Sequence, residues 1–313
     1  MKIYAGVDIG GMSIKVGIID ENGKIFASSS FVTNIEDEIS LVVQKILEKI
    51  NKLKRADDTC MGIGVGIPGV TDSDAGIVRA AVNIGWVNIN LVEEFKKQTD
   101  IKVKILNDAN AAALGEYRFT DISKKYNNMV MITLGTGIGG GIIINGELYQ
   151  GKTFSAGEIG HIPIKFDGIK CNCGGIGCFE QYASASALIR ITKEYINKNN
   201  NSILAKQATA DGCVDGKTAF VAEKLGCPYA HDAIEEYIHN ITSGLIAISN
   251  FLHPECIVIG GGISREGDEF ILRLQQKVDE YISVSGFGPK VEIRRAKLTN
   301  DAGIIGAAGF AIE

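Results

Sequence analysis

The chain has 313 residues, enough for about two typical domains, and its 45% apolar and 22% charged residues are the balance of a globular chain with a large core. Thirty-two basic against 37 acidic side chains leave a net charge of −5, which offers no basic field and argues against nucleic acid as the main partner. No uncharged apolar stretch reads as a membrane span, and the opening MKIYAGVDIGG lacks the basic-then-apolar pattern of a secretion signal, so a cytoplasmic protein is expected.

In chain order, Ile3–Asp8 reads as a strand, Gly10-Gly11 as a tight turn and Ser13–Ile19 as a second strand. Glu21-Asn22-Gly23 is a hairpin signal before a third strand, Lys24–Phe31. Glu36–Lys54 carries apolar residues at Ile39, Val43, Ile46, Ile50 and Leu53, the spacing of one helix face. A strand at Met61–Ile67 ends in Pro68-Gly69, a helix follows at Asn90–Gln98, and Val103–Leu106 returns as a strand. Asp108 then reads as the N-cap of an alanine-rich helix, Ala109–Tyr117.

The pattern starts again at Met129–Leu134, a strand followed by the glycine-rich turn Gly135–Gly141, a short strand Ile142–Ile144 and the turn Asn145-Gly146. This repeats the unit at Tyr4–Gly23 and marks an internal duplication. Helices are expected around Ala185–Lys198, Gly216–Leu225 and Ala233–Leu252, the last with Ile238, Ile241, Leu245, Ile248 and Leu252 on one face. Cys256–Ile259 reads as a buried strand ending in Gly260-Gly261-Gly262, followed by a helix, a strand and a final helix. Two similar halves of mixed strands and helices predict two α/β domains with a cleft between them.

Two short motifs mislead. Gly146–Thr153 fits the P-loop pattern, but the following Gly157, Gly160 and Pro163 cannot form the helix whose N-terminus would hold phosphate. Gly64–Gly69 and Gly135–Gly140 both satisfy GxGxxG, yet neither opens a helix with an acidic residue beyond it, which argues against dinucleotide binding. The turns at Asp8-Ile9-Gly10-Gly11 and Leu134-Gly135-Thr136-Gly137 read instead as a facing pair whose backbone N–H groups can meet phosphate oxygens. Asp8 is placed to hold magnesium there.

The most specific signal is His161 with Cys171, Cys173 and Cys178. Three thiolates and an imidazole complete a tetrahedral zinc shell, and Gly174, Gly175 and Gly177 let a short loop wrap the ion. Four protein ligands leave no open position, so the expected zinc is structural. Cys60, Cys213, Cys227 and Cys256 are scattered and read as ordinary thiols. Glu158 and Glu180 flank the metal ligands; with Asn83, Asn107 and Asp108 on separate strand ends they suit a ligand rich in hydroxyls, each of which donates and accepts.

Taken together, Asp8-Ile-Gly-Gly11, Leu106-Asn-Asp-Ala-Asn110, Leu134-Gly-Thr-Gly-Ile-Gly-Gly-Gly141, Gly157-Glu-Ile-Gly-His161, Cys171-Asn-Cys-Gly-Gly-Ile-Gly-Cys-Phe-Glu180 and Ile259-Gly-Gly-Gly262 resemble the ROK family of repressors, open reading frames and sugar kinases. The resemblance covers essentially the whole chain and is nearest to the bacterial glucokinases of that family. It implies two actin-like (ribonuclease H-like) domains, residues 1–118 plus 301–313 and residues 119–300, with an interdomain cleft and a zinc loop. It further implies ATP-dependent phosphorylation of the 6-hydroxyl of glucose. Asp108 would be the general base, and Gly69, Asn83, Asn107, Glu158, His161 and Glu180 would hold the sugar. Gly10, Gly11, Gly135, Thr136 and Gly137 would cradle phosphates, Gly261 and Gly262 would lie against adenosine, and Asp8 would position Mg2+.

Other sugars of the same class are the main alternatives: N-acetylmannosamine, N-acetylglucosamine, fructose or a β-glucoside. A sugar-responsive repressor is disfavoured because the first β-unit begins at Ile3, leaving no room for a helix-turn-helix before it. The resemblance also implies a homodimer or homotetramer. One departure stands out: Met12 takes the place where the family usually has threonine, so a hydroxyl that could contact phosphate is missing.

Overall fold

The computed structural model describes residues 1–32, 37–285 and 290–312. Its elements in chain order are β1 (Lys2–Ile9), β2 (Ser13–Ile19), β3 (Ile25–Val32), α1 (Ile39–Leu53), β4 (Thr59–Ile67), β5 (Val70–Asp72), β6 (Ile77–Ala81), β7 (Trp86–Asn90), α2 (Leu91–Lys96), β8 (Val103–Asn107) and α3 (Asp108–Phe119). The second half continues with β9 (Met129–Leu134), β10 (Ile138–Ile144), β11 (Glu147–Leu148), α4 (Glu180–Ala183), α5 (Ala185–Lys198), α6 (Ile203–Ala210), α7 (Thr218–Lys224) and α8 (Pro228–Leu252). It closes with β12 (Cys256–Gly260), α9 (Asp268–Ser285), β13 (Glu292–Arg295) and α10 (Ala302–Ile312).

One five-stranded sheet has the order β3-β2-β1-β4-β8 and the other β11-β10-β9-β12-β13. Numbered within each half, both orders read third, second, first, fourth, fifth. The duplication visible in the sequence as two strands and a glycine turn therefore extends to five strands. β1 lies parallel to β4 and β4 to β8, while β9 lies parallel to β12 and β12 to β13. In the first half Gly69 and Asp108, and in the second Gly135 and Gly261, follow the carboxyl ends of these parallel strands, the edge at which open α/β sheets bind ligands.

By contacts the chain divides into a first unit, Met1–Asn128, Gly141–Gly157 and Lys297–Glu313, and a second, Met129–Gly140 and Glu158–Ala296. These units differ from the division expected from the sequence in giving 119–128, 141–157 and 297–300 to the first. In the first unit α1 buries Val42, Val43, Ile46 and Ile50 against Ile3, Val7, Ile63 and Val65 of the sheet. Glu36, where this helix was expected to start, lies outside the described residues. The apolar helix α10 lies on β1, β4 and α3. It comes so close that a Cβ at Gly64 would sit 1.6 Å from the Ala307 carbonyl oxygen; only glycine allows that approach. In the second unit α5, α7 and α9 pack on α8, whose wholly buried Tyr237 donates its hydroxyl to the Ala183 carbonyl at 2.8 Å.

Four expectations are corrected. β10 begins at Ile138, because Ile138-Gly-Gly-Gly141 is strand and the turn is confined to Gly135–Gly137. α8 begins at Pro228, a residue whose fixed φ and missing N–H suit the first helical position. The small antiparallel sheet β5-β6-β7 and the helices α4 and α6 were not expected. Finally, Asn107 and not Asp108 is the N-cap of α3. No helix among the described residues is long and apolar enough to cross a membrane.

Candidate active site

In the first unit the parallel register lines up Asp8 with Gly66 and Gly66 with Leu106, so β1, β4 and β8 end together. Asn107 ties two of these ends. Its Oδ1 accepts from the N–H groups of Ala109 (2.9 Å) and Asn110 (3.0 Å), which starts α3, while its Nδ2 donates to the Gly69 carbonyl at 3.0 Å. Gly69 itself has φ +84°, and a Cβ there would meet the Ala80 carbonyl oxygen at 2.1 Å. Asn107 thus caps a helix and fixes a loop at once. Asp108 is the first helical residue, and its Oδ1 takes the Ala109 N–H at 2.8 Å. Asn83 is exposed in a single 3-10 turn, with its carbonyl beside Gly11. Gly10 donates its N–H to the Ser13 carbonyl at 2.9 Å, closing the first glycine turn.

The electrostatics of this corner follow from burial. Desolvation raises the Asp108 carboxyl above the usual aspartate range, against the opposing pull of the Ala109 and Asp108 N–H groups and the Asn107 amide. Asp8 is pushed up to about 6, first by burial and then by the charge of Asp108, with Lys15 pulling the other way. Lys15 is itself engaged by Asp301 and the Asn300 carbonyl. Two carboxylates in a partly dry corner, with the charge of Asp108 raising the cost of ionising Asp8, form a set of hard oxygen donors that a divalent cation would relieve.

In the second unit the glycine turn closes on itself through the Gly135 N–H, which donates to the Gly137 carbonyl at 3.0 Å. Glu180 Oε2 accepts the Ile138 N–H at 2.9 Å. Gly261 crosses directly over the strand before the turn, where a Cβ would lie 2.4 Å from the Leu134 carbonyl oxygen. The glycines that follow β9 and β12 are therefore neighbours, though 126 positions apart in sequence (261 − 135).

The four expected metal ligands converge: one ligand atom each from His161, Cys171, Cys173 and Cys178 lies within 4.8 Å of all the others. His161 Nδ1 is 3.7 Å from Cys171 Sγ, and Cys173 Sγ is 3.7 Å from Cys178 Sγ. With zinc–sulfur bonds of about 2.3 Å the edge of a tetrahedron is about 3.8 Å, so the donors fit zinc. The thiols alone are ill-matched: burial and its cysteine neighbours push Cys178 up to about 12, while the Gly175 N–H pulls Cys173 down. A cation would let all three ionise. Gly177 is required for the wrap, since its φ is +73° and a Cβ would meet the Lys165 carbonyl oxygen at 1.6 Å. The imidazole turns Nδ1 toward the thiols and Nε2 toward Glu158 Oε2, 3.8 Å away.

A sequence model of the ROK family matches residues 4–313. The chain belongs to the ROK family. This ROK chain is 36% identical over 308 residues to a glucokinase of Halalkalibacterium halodurans, covering 97% of this chain and 93% of the other. It is 37% identical over 312 residues to a glucokinase of Thermotoga maritima, covering 98% and 96%. Among solved structures it is similar to a ROK family glucokinase from Streptomyces griseus in complex with glucose and AMPPNP. That likeness has a TM-score of 0.85 at 33% identity and covers 99% of each chain.

Within the units of this ROK protein the structure gathers most of the residues singled out in the sequence. Asp8, Gly69, Asn107 and Asp108 meet at the strand ends of the first unit, with Asn83 beside Gly11. In the second unit Glu158 stands by His161, and Glu180 stands by Gly137 and Ile138. Some contacts escaped the sequence reading. Gln181 Nε2 donates to Cys171 Sγ at 3.6 Å, Ser186 Oγ donates to the Thr136 carbonyl at 2.8 Å, and Gly303 of α10 leaves room for the Asp8 carboxylate. Gln181 sits three positions beyond Cys178, close enough to be suspected; Ser186 and Gly303 carry no local signal. Cys60, Cys227 and Cys256 are buried or half-buried and Cys213 is exposed, as ordinary thiols would be.

Proposed function

We propose that this ROK protein transfers the γ-phosphoryl group of ATP to the 6-hydroxyl of glucose. The observation that carries the reading is the Asp108 carboxylate, raised in basicity at the carboxyl end of β8, in a chain similar over its whole length to a glucokinase crystallised with glucose and an ATP analogue.

Asp108 would accept the proton of the 6-hydroxyl as that oxygen bonds to the γ-phosphorus. The bond from the γ-phosphorus to the bridging oxygen then breaks, and ADP leaves with the electron pair. Burial that raises the carboxyl strengthens it as a base. Asn107 holds Asp108 in place by capping α3 and tying Gly69. Gly69, Asn83 and Asn107 of the first unit and Glu158, His161 and Glu180 of the second would meet sugar hydroxyls, His161 through Nε2. The turns at Gly10-Gly11 and Gly135–Gly137 would offer N–H groups to phosphate oxygens, with Gly261 and Gly262 toward the adenosine. Asp8 would hold Mg2+, which when bound neutralises phosphate charge. Zinc at His161, Cys171, Cys173 and Cys178 would be structural, its four protein ligands leaving no coordination position for substrate.

A coupled assay of ADP release over glucose, fructose, mannose, their N-acetylamino derivatives and a β-glucoside tests the reading. The highest kcat/KM falls on glucose if it is right, and on another sugar, or on none, if it is wrong. Assembly as a homodimer or homotetramer, which the family resemblance implies, is read by sedimentation of the same sample.

A further inference from the structure

The segment just beyond Cys178 grips the second glycine turn at three points, all inside the second unit. Glu180 Oε2 accepts the Ile138 N–H at 2.9 Å, the Ala185 N–H donates to the Gly135 carbonyl at 2.8 Å, and Ser186 Oγ donates to the Thr136 carbonyl at 2.8 Å. Gly137 lies flush against the carboxylate, for a Cβ there would sit 2.4 Å from Glu180 Oε2. A glycine-rich turn has little conformational preference of its own. Its one internal backbone hydrogen bond, from Gly135 to Gly137, cannot fix it, so its shape is imposed from α4 and the start of α5.

That same segment is anchored in the cysteine loop. Cys178 pairs with Pro163 in an isolated β-bridge, the Phe179 N–H donates to the Ile162 carbonyl at 2.8 Å, and the Gln181 N–H donates back to the Cys178 carbonyl at 2.9 Å. The Gln181 side chain reaches Cys171 Sγ. Glu180 thus stands between a metal ligand two residues before it and a donor to a metal ligand one residue after it.

We propose that Glu180 and Ser186 are positioning residues for the Gly135–Gly137 turn, and that through them the order of the His161–Cys178 loop sets how tightly the turn holds phosphate. The inference rests on the reading of that turn as phosphate-binding. It gives Glu180 a duty beyond the sugar: Oε2 holds the turn, while Oε1 has no partner among the described residues and remains for a hydroxyl. It also makes the metal loop matter to nucleotide as well as to sugar.

The test is calorimetric binding of AMPPNP with magnesium, without hexose. It uses the zinc-loaded chain, its Ser186→Ala, Glu180→Ala and Glu180→Gln variants, and wild type and Glu180→Ala after zinc removal by a chelator and after zinc return. Losing one turn-holding hydrogen bond weakens binding about threefold in Ser186→Ala and about tenfold in Glu180→Ala. Glu180→Gln, whose amide oxygen still accepts the Ile138 N–H, stays within about twofold of wild type, and Ser186→Ala binds glucose normally. Zinc removal weakens wild type about as much as Glu180→Ala, zinc return restores it, and Glu180→Ala responds little to zinc. Unchanged affinity in both alanine variants, or equal zinc sensitivity with and without Glu180, overturns the proposal. Where the zinc-free chain unfolds, the zinc-loaded variants decide alone. A wild type that fails to bind the analogue contradicts the kinase reading itself; one that binds it beside unaltered variants contradicts only the positioning role.

Discussion

At the scale of single residues, Asp8 and Asp108 carry the sharpest consequences. Replacing Asp108 by alanine removes the base and lowers kcat by about 10²- to 10⁴-fold in the ADP-release assay, while glucose binding by calorimetry persists. Asp8 links function to stability. Its carboxyl titrates near 6 in the folded chain against 3.8 for an ordinary aspartate, so between those values the native state holds a proton that the unfolded chain has released. Stability contributed by Asp8 therefore falls as pH rises from about 4 through 6 and stays low above. Asp8→Asn abolishes this dependence: urea denaturation at pH 7.5 shows the variant more stable by on the order of 2 kcal/mol, the gain shrinking toward pH 4, with phosphoryl transfer strongly impaired. Equal stability at both pH values contradicts the burial argument. Met12 is 86% exposed in the first glycine turn, so Met12→Thr can add a hydroxyl donor without disturbing the core and lowers KM for ATP about threefold to tenfold. The sequence singled out the polar residues but not how they divide their hydrogen bonds. Asn107 was read as a sugar ligand and Asp108 as a cap because both are good capping residues. Only the backbone direction at the end of β8 gives the cap to Asn107.

At the scale of elements, α3 and α10 of the first unit cross with backbone against backbone. A Cβ at Gly306 would lie 1.7 Å from the Ala111 carbonyl oxygen, and one at Gly115 would lie 2.7 Å from that of Ala302. Because the clash is with backbone, Gly306→Ala forces the helices apart and lowers unfolding free energy by about 3 kcal/mol, read from the urea midpoint. An unchanged midpoint contradicts the close packing. Elements with a clear period were legible in the sequence. β2, β9 and α5 have the expected ends, and α1 buries Val43, Ile46 and Ile50 of the predicted face. The small sheet β5-β6-β7 was not legible because its strands are three to five residues long, and Asn88 in β7 has φ +52°, a left-handed backbone inside a strand. β10 was read too short because three consecutive glycines resemble a turn, whereas Gly141 is glycine to admit Ala113, whose Cβ would lie 2.4 Å from one at position 141.

At the scale of the whole molecule, the duplication is the organising fact, and half of it was in the sequence. The repeated strand, glycine turn and strand were visible; the matching order of five strands was not, because β4, β8, β12 and β13 join their sheets through crossovers of varied length. The assignment of Lys297–Glu313 to the first unit is likewise a matter of packing, with the Leu298 N–H donated to the buried Glu116 of α3 at 2.6 Å. The metal loop was the most legible feature, since four ligands within 18 residues need no tertiary pairing to be seen. Elemental analysis is expected to find one zinc per chain, and Cys178→Ser to lose it with a lower melting temperature. The measurement that bears most directly on the account is ADP release by the purified zinc-loaded chain with ATP, Mg2+ and each hexose in turn. Glucose-dependent release, lost in Asp108→Ala, is the predicted result; a folded, zinc-containing chain that releases no ADP with any hexose would contradict it.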